Sequence, residues 1–359
     1  MEKLYNVESE NKSYWIGLDV VRIIAIFLVI LVHSTSFYGF NKDNLNTFTY
    51  IIIAFFRYIS FACVPLFLLL SGYLCIYKKP TLKYYIKIIK IIIEFLFCAL
   101  LVALFNWIVL GNQYTFGYLI TEMFRFNFPS YSWYIKMYIG LFLLIPFLNC
   151  ILNSLSKKQA IGFIVVLILI FSQPFVTSYW QIAYPIMYYF IGGFFRKWPI
   201  NINKIVAVIV LFVTCLIQVL FYEFPFPYRY SVENHNNIGC LIISVMIFTL
   251  FYSHKICLSS KGKIVLSKMT RTIANASMST FLISQIFESL TYRLFNNLKI
   301  TSFAGKLPYL IYLTPLKFVL SLACGIVINL LSVLMYKLLI KAINKIILRF
   351  NKEKNSEQG

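Results

Sequence analysis

The sequence predicts an all-α integral membrane protein, a polytopic bundle of about ten transmembrane helices with both termini in the cytoplasm. Three observations predict it. Of 359 residues, 60% are hydrophobic and only 13% charged, against about 25% charged in a soluble domain. The apolar residues gather into runs of ~17 residues or more, enough to cross a ~30 Å hydrocarbon layer at ~1.5 Å per residue. The basic residues also sort by segment. Of 33 Lys and Arg, 23 fall in alternate segments beginning with the amino-terminal tail and 6 in the others, while Arg22, Arg57, Lys136 and Lys317 lie inside runs. By the positive-inside rule both ends are cytoplasmic and the number of spans is even.

The expected spans are 15–37, 50–76, 86–110, 133–152, 160–176, 179–195, 204–222, 238–254, 272–292 and 309–340. The first is longer than a signal-peptide core and has no A-x-A cleavage site, so it reads as a retained helix. The last is too long for one straight crossing and should tilt or run on beyond the membrane. The short alternating segments of a barrel do not occur. The chain therefore divides into a tail (1–14), one membrane domain (15–345) with nothing appended, and a second tail (346–359). The closing stretch NKEKNSEQG is polar and expected to be unstructured.

A net charge of +21 would suit nucleic acid, but its placement excludes that partner. The cations sit in short connections between apolar runs, where topology and anionic lipid headgroups account for them. The eight cysteines lie in or at the ends of apolar runs, form no CxxC pair and lack zinc spacing, so they read as small buried hydrophobes and no metal site is expected. Two connections, 111–132 and 223–237, are long and aromatic. The first holds Phe126, Phe128, Pro129 and Tyr131, and the second reads YEFPFPYRYSVENHNN. Aromatic faces with amides suit sugars, and they equally suit interfacial anchoring.

Charges at bilayer depth are costly and point to function. In the first span Arg22 and His33 are eleven residues apart, which at 100° per residue is about 20° beyond three full turns. The two side chains leave the helix on nearly one face, about 16 Å apart in height. Asp19 is placed for an (i, i+3) pair with Arg22. Glu94 belongs near the level of Arg22. Arg57, Lys136, Glu288 and Lys317 belong near the level of His33. Two polar layers joined along one face imply a hydrated cavity or tunnel, and buried ion pairs that only fix packing are the alternative. A neutral imidazole can take a proton from a hydroxyl, the task of a general base. Lys83, Lys87 and Lys90 form a helical stripe at the cytoplasmic surface that suits either the phosphates of an acyl-CoA or lipid headgroups.

At these residues the sequence resembles the acyltransferase 3 family of membrane-bound acyltransferases. That family's first helix carries Arg, ten residues, then His, as Arg22 and His33 do here, and Leu18, Asp19 and Ser34 match its flanks. VPLFLLLSGYL (64–74) resembles its second-helix signature, SWYIKMYIGLFLLIPFL (132–148) its tryptophan-led segment, and YPIMYYFIGGFF (184–195) a later glycine-containing helix. The resemblance spans about 14–340. It implies a ten-helix core and transfer of acyl groups, commonly acetyl, to hydroxyls of cell-envelope carbohydrates. It implies that His33 is the base and that Arg22 binds or orients the donor, acyl-CoA and in the first place acetyl-CoA. Trp133, Arg57 and Glu288 then become candidates for the acceptor, a cell-envelope glycan or lipid-linked saccharide. Asp19, Glu94 and Ser71 become orienting groups. Besides His33, a hydroxyl such as Ser71 is the nucleophile to consider if an acyl-enzyme forms.

The sequence departs from the family's pattern. A late Ile-Tyr-Leu-x-His segment is here ASMSTFLISQ, with Phe281 and Ser284 at the Tyr and His positions. The basic positions after the second span are lysines, which bind phosphate as point charges without a bidentate fork. The esterase-like extension of some members is not seen. The Ile-, Lys- and Asn-rich composition suits an AT-rich bacterial genome, and the expected location is the bacterial plasma membrane. The leading rival is a glycan or acyl-group transporter, which predicts matching halves with broken helices. A glycan-assembly partner without acyl transfer is the third reading, and it would tolerate loss of His33.

Overall fold

The computed structural model describes residues 13–36, 38–40, 47–173, 175, 180–223, 234–258 and 260–356. Apart from a two-residue antiparallel ribbon of β1 (Ser13–Tyr14) with β2 (Ile256–Cys257), its regular structure is helical. The helices are α1 (Ile16–Ser36), α2 (Thr47–Ser60), α3 (Cys63–Cys75), α4 (Leu82–Tyr85), α5 (Ile88–Ile108), α6 (Phe116–Phe124), α7 (Trp133–Ser154), α8 (Lys157–Phe171), α9 (Tyr184–Lys197), α10 (Lys204–Glu223), α11 (Ile238–Phe251), α12 (Lys261–Asn275), α13 (Ser277–Asn297) and α14 (Phe303–Ser356). The end of the bundle that carries the β1–β2 pair is called the ribbon end below, and the other the far end.

The molecule is a multi-pass membrane protein. Five stretches among the described residues are long and apolar enough to cross a bilayer: Ile16–Ser36, Phe48–Cys75, Leu82–Ile108, Ser130–Ser154 and Phe303–Lys345. The other expected spans fall on shorter or less apolar helices: α8, α9 and α11 have 15, 14 and 14 residues, and 272–292 is divided between α12 and α13 at Ala276. A 14-residue helix rises only about 21 Å. The aromatic connection at 224–233 and the amino-terminal tail to residue 12 lie outside the described residues. The polar stretch expected to be unstructured continues α14 as far as Ser356, since a helix already nucleated propagates at little cost.

Prolines shape two of the crossings. The expected single helix over 50–76 is broken into α2 and α3 at Phe61–Ala62. Pro65 has no N–H to give the carbonyl four residues earlier and its ring crowds it. That carbonyl, on Phe61, instead faces His235 Nδ1 at 3.0 Å and Cys240 Sγ at 3.4 Å. Inside α7, Pro146 likewise releases the carbonyl of Phe142, and the Tyr84 hydroxyl donates to it at 2.7 Å. Both freed acceptors are satisfied by side chains, as a water-poor interior requires.

The two glycine-bearing motifs meet each other. A Cβ on Gly72 would lie 2.0 Å from the Tyr189 carbonyl oxygen, and one on Gly192 would lie 2.0 Å from that of Leu69. In lipid, apolar burial does little to join helices, and close packing at small residues does much of it. This contact seats α3 on α9. Against that pair, α1 occupies the middle of the bundle, packed on α2, α3, α11, α12, α13 and α14. The helix singled out by its charges is the central one. Lipid-facing positions are apolar, as on α10 (Ile205, Val208, Phe212) and α14 (Val327, Leu330, Leu334).

Candidate active site

Toward its ribbon end α1 presents Arg22. Its Nη1 donates to Asp19 Oδ1 at 3.0 Å, the expected (i, i+3) pair. The other carboxylate oxygen of Asp19 accepts the Tyr14 hydroxyl. Burial and then the bond to Asp19 push the Tyr14 phenol up to about 12, so it stays protonated and keeps donating. The Arg271 guanidinium lies 5.0 Å from the Tyr14 ring centroid. Among the described residues Asp19 is the hydrogen-bond partner of Arg22. A guanidinium has five N–H donors, and most remain for a ligand. Glu94 does not join this group. It accepts from Ser279 Oγ at 2.8 Å, Ser279 N at 3.2 Å and Asn329 Nδ2 at 3.4 Å, with Lys90 at 4.0 Å. It clamps α5 to α13 and α14.

Three turns on, the half-buried His33 lies in an aromatic stack. Its ring centroid is 4.3 Å from that of Tyr131 at an interplanar angle of 16°, and 6.3 Å from that of Phe281. Tyr131 and Phe281 are themselves parallel at 5.2 Å. One turn farther, the buried Arg57 donates to Thr35 Oγ1 at 2.8 Å and Ser36 Oγ at 3.1 Å, and its guanidinium sits over Phe40 and Phe61. It fastens α2 to the end of α1.

Tyr131 also lines a cavity of about 750 Å³ at the far end, between Leu110, Ser130 and the outer half of α13. Glu288 lies on the same wall and is paired with Lys317 at 2.7 Å, both side chains buried. The sequence placed these two at one depth, and the structure joins them. Lys317 Nζ lies 5.2 Å from the Tyr38 ring centroid, and the Tyr38 hydroxyl donates to the Glu288 carbonyl at 3.3 Å. Arg22 is not among the residues lining this cavity.

An acyltransferase-domain model, that of the acyltransferase 3 family, matches residues 15–334. The chain belongs to the acyltransferase 3 family. It is therefore a membrane acyltransferase. No curated protein and no solved structure matches it.

In this acyltransferase the family's late tyrosine position is taken by Phe281, a ring in the His33 stack, and the late histidine position by Ser284, whose hydroxyl turns back to the Phe281 carbonyl at 2.7 Å. Ser71 similarly bonds the Phe67 carbonyl of its own helix at 2.8 Å. Trp133 opens α7 and stacks on His235 with centroids 6.1 Å apart. His235 lies outside the spans. Burial, partly opposed by the bond to the Phe61 carbonyl, brings its imidazole down to about 4. The neutral ring donates from Nδ1 to that carbonyl and keeps Nε2 as an acceptor. Of the lysine stripe, Lys83 lies in the four-residue α4 and Lys87 precedes α5, both exposed, while Lys90 turns toward Glu94. Lys136 is exposed on α7. Tyr14, Tyr131, His235 and Gln285, which lines the cavity and meets Ser130 Oγ at 3.4 Å, carry much of this geometry. Tyr131 and His235 had a sequence signal, their places in the two aromatic connections.

Proposed function

We propose that this acyltransferase is an O-acyltransferase of the bacterial plasma membrane. It would move an acyl group, in the first place acetyl, from acyl-CoA to a hydroxyl of a cell-envelope polysaccharide or its lipid-linked precursor. The observation that carries the reading is the sharing of Tyr131 between His33 and the far-end cavity, with Arg22 on the same face of the same helix. The strong Lys and Arg bias supports a cytoplasmic ribbon end with both termini on that side, and an even number of crossings. The donor then approaches from the ribbon end. Arg22, held by Asp19, binds or orients it, and Lys83, Lys87 and Lys90 serve its phosphates.

His33 takes the proton of the acceptor hydroxyl as that oxygen attacks the thioester carbonyl. The C–O bond forms, the C–S bond breaks, and the thiolate leaves with the proton returned by the imidazole. The ~16 Å between Arg22 and His33 is a distance an extended thioester arm can bridge. Direct transfer is favoured over an acyl-serine at Ser71, because that hydroxyl is engaged with its own helix.

The test is the ester content of the envelope glycan, by mild-alkali release and mass spectrometry. The strains are wild type, deletion, and deletion complemented with wild type or His33→Ala at matched protein level. An ester lost on deletion, restored by wild type and not by His33→Ala, is the expected result. An unchanged ester pattern with glycan retained inside the cell would replace this reading with transport.

A further inference from the structure

The far-end cavity has a chemistry of its own, and it follows from α13. Gln285, Glu288, Ser289, Tyr292 and Asn296 recur at three- and four-residue spacing along one face of that helix and all line the cavity. Its volume of about 750 Å³ lies within the ~300–1,000 Å³ usual for small-molecule sites.

Two polar groups on this wall are half used. Glu288 is 5% exposed, and Lys317 takes its Oε2 at 2.7 Å. Its Oε1 is buried and no donor among the described residues reaches it in hydrogen-bond geometry, although the Tyr38 hydroxyl lies beside the carboxylate. A carboxylate oxygen can only accept, so the missing partner is an O–H or N–H. Gln285 repeats the pattern one turn away. Its Nε2 meets Ser130 Oγ at 3.4 Å, and its Oε1 is buried without a partner. Exchanging the amide atoms would leave the nitrogen unpartnered in the same place, because a serine hydroxyl serves either end. A buried polar group without a partner is uncommon enough to require an explanation, and two on one cavity wall share one.

We infer that this cavity is the acceptor site, and that Glu288 and Gln285 are its specificity-determining residues, receiving neighbouring hydroxyls of a saccharide ring. The inference rests on the transferase reading and adds the residues that choose the acceptor. Because Lys317 already neutralises one oxygen of Glu288, the other is free to accept from a neutral hydroxyl. A carboxylate or phosphate at that point would oppose it. Arg293, on the same wall and donating to the Val109 carbonyl, is the place for an acidic group elsewhere on the sugar. Tyr131 then sets the saccharide against the His33 stack, with one hydroxyl left for the imidazole.

The experiment uses the full-length protein in right-side-out membrane vesicles. Ser289→Cys is the reporter for a membrane-impermeant maleimide, with the wild-type cysteines as background. The probe is the oligosaccharide mixture released from the host's own envelope glycan and stripped of esters by mild alkali. We expect the probe to slow labelling at least fivefold. In Ser289→Cys/Gln285→Leu the same protection should need at least tenfold more probe. Labelling unchanged by the probe, while esterification still depends on His33, overturns the inference and leaves the transferase reading standing. Equal protection with and without Gln285→Leu overturns the role of that residue. Protection that Gln285→Leu weakens, in a protein whose ester product does not depend on His33, supports the site and removes the transferase reading.

Discussion

At one end of α1 a guanidinium is met by a carboxylate that a phenol holds in place. At the other, eleven residues on, an imidazole is met by the faces of Tyr131 and Phe281. The first arrangement presents fixed positive charge with spare donors, which suits an anion. The second holds a ring in one orientation beside a cavity, which suits proton transfer to or from a ligand placed there. The contrast teaches how one helix can hold two different chemical environments. Phase along α1 keeps both residues on one face, and everything that differs comes from the neighbours that pack on each end.

The largest effect that would sharpen this contrast is at His33. With His33→Ala, acyl transfer in proteoliposomes should fall by about 10²–10⁴, the range for removing a general base, with protein yield and melting temperature little changed. More than a tenth of wild-type activity would remove the far end from the chemistry. Next is the buried pair beside the cavity. Lys317→Met leaves the Glu288 carboxylate without its cation and should cost about 3–5 kcal/mol, read as a lower melting temperature in detergent. Adding Glu288→Leu should restore much of it. A double variant whose loss equals the sum of the losses in Lys317→Met and Glu288→Leu alone would show that the two charges are not coupled.

Legibility followed locality. The relation of Arg22 to His33 could be read because both lie on one helix, where rise and phase fix the geometry. So could the Asp19–Arg22 pair. The break at Phe61–Ala62 follows from Pro65 by a rule that the sequence displays, although the expected span ran through it. The Gly72 and Gly192 motifs were visible as patterns, yet that they touch each other depends on the packing of α3 on α9. The cavity was not legible. It arises where Leu110 and Tyr131 approach residues of α13 more than 150 positions away, and no local pattern encodes that approach. Glu288 and Lys317 stand between these cases, since their common depth could be read and their pairing could not.

Smaller effects test the ribbon end. Asp19→Asn should weaken the hold on Arg22 and raise the KM for acetyl-CoA roughly tenfold, worth about 1.4 kcal/mol, with kcat nearly kept. An equal fall in kcat would mean that Asp19 acts in the chemical step. Tyr14→Phe should cost stability by about 0.5–1.5 kcal/mol for one lost hydrogen bond, in a melting experiment, and change donor KM less than Asp19→Asn does. At the far end His235→Ala, which strips the Phe61 carbonyl of its ring partner, should cost about 1–3 kcal/mol.

On this reading the two ends of α1 divide donor binding from proton transfer. Calorimetric titration of acetyl-CoA into nanodisc-held wild type, Arg22→Ala and His33→Ala tests it most directly. His33→Ala should bind the donor as wild type does, and Arg22→Ala at least tenfold more weakly. Loss of binding in His33→Ala with full binding in Arg22→Ala would contradict it.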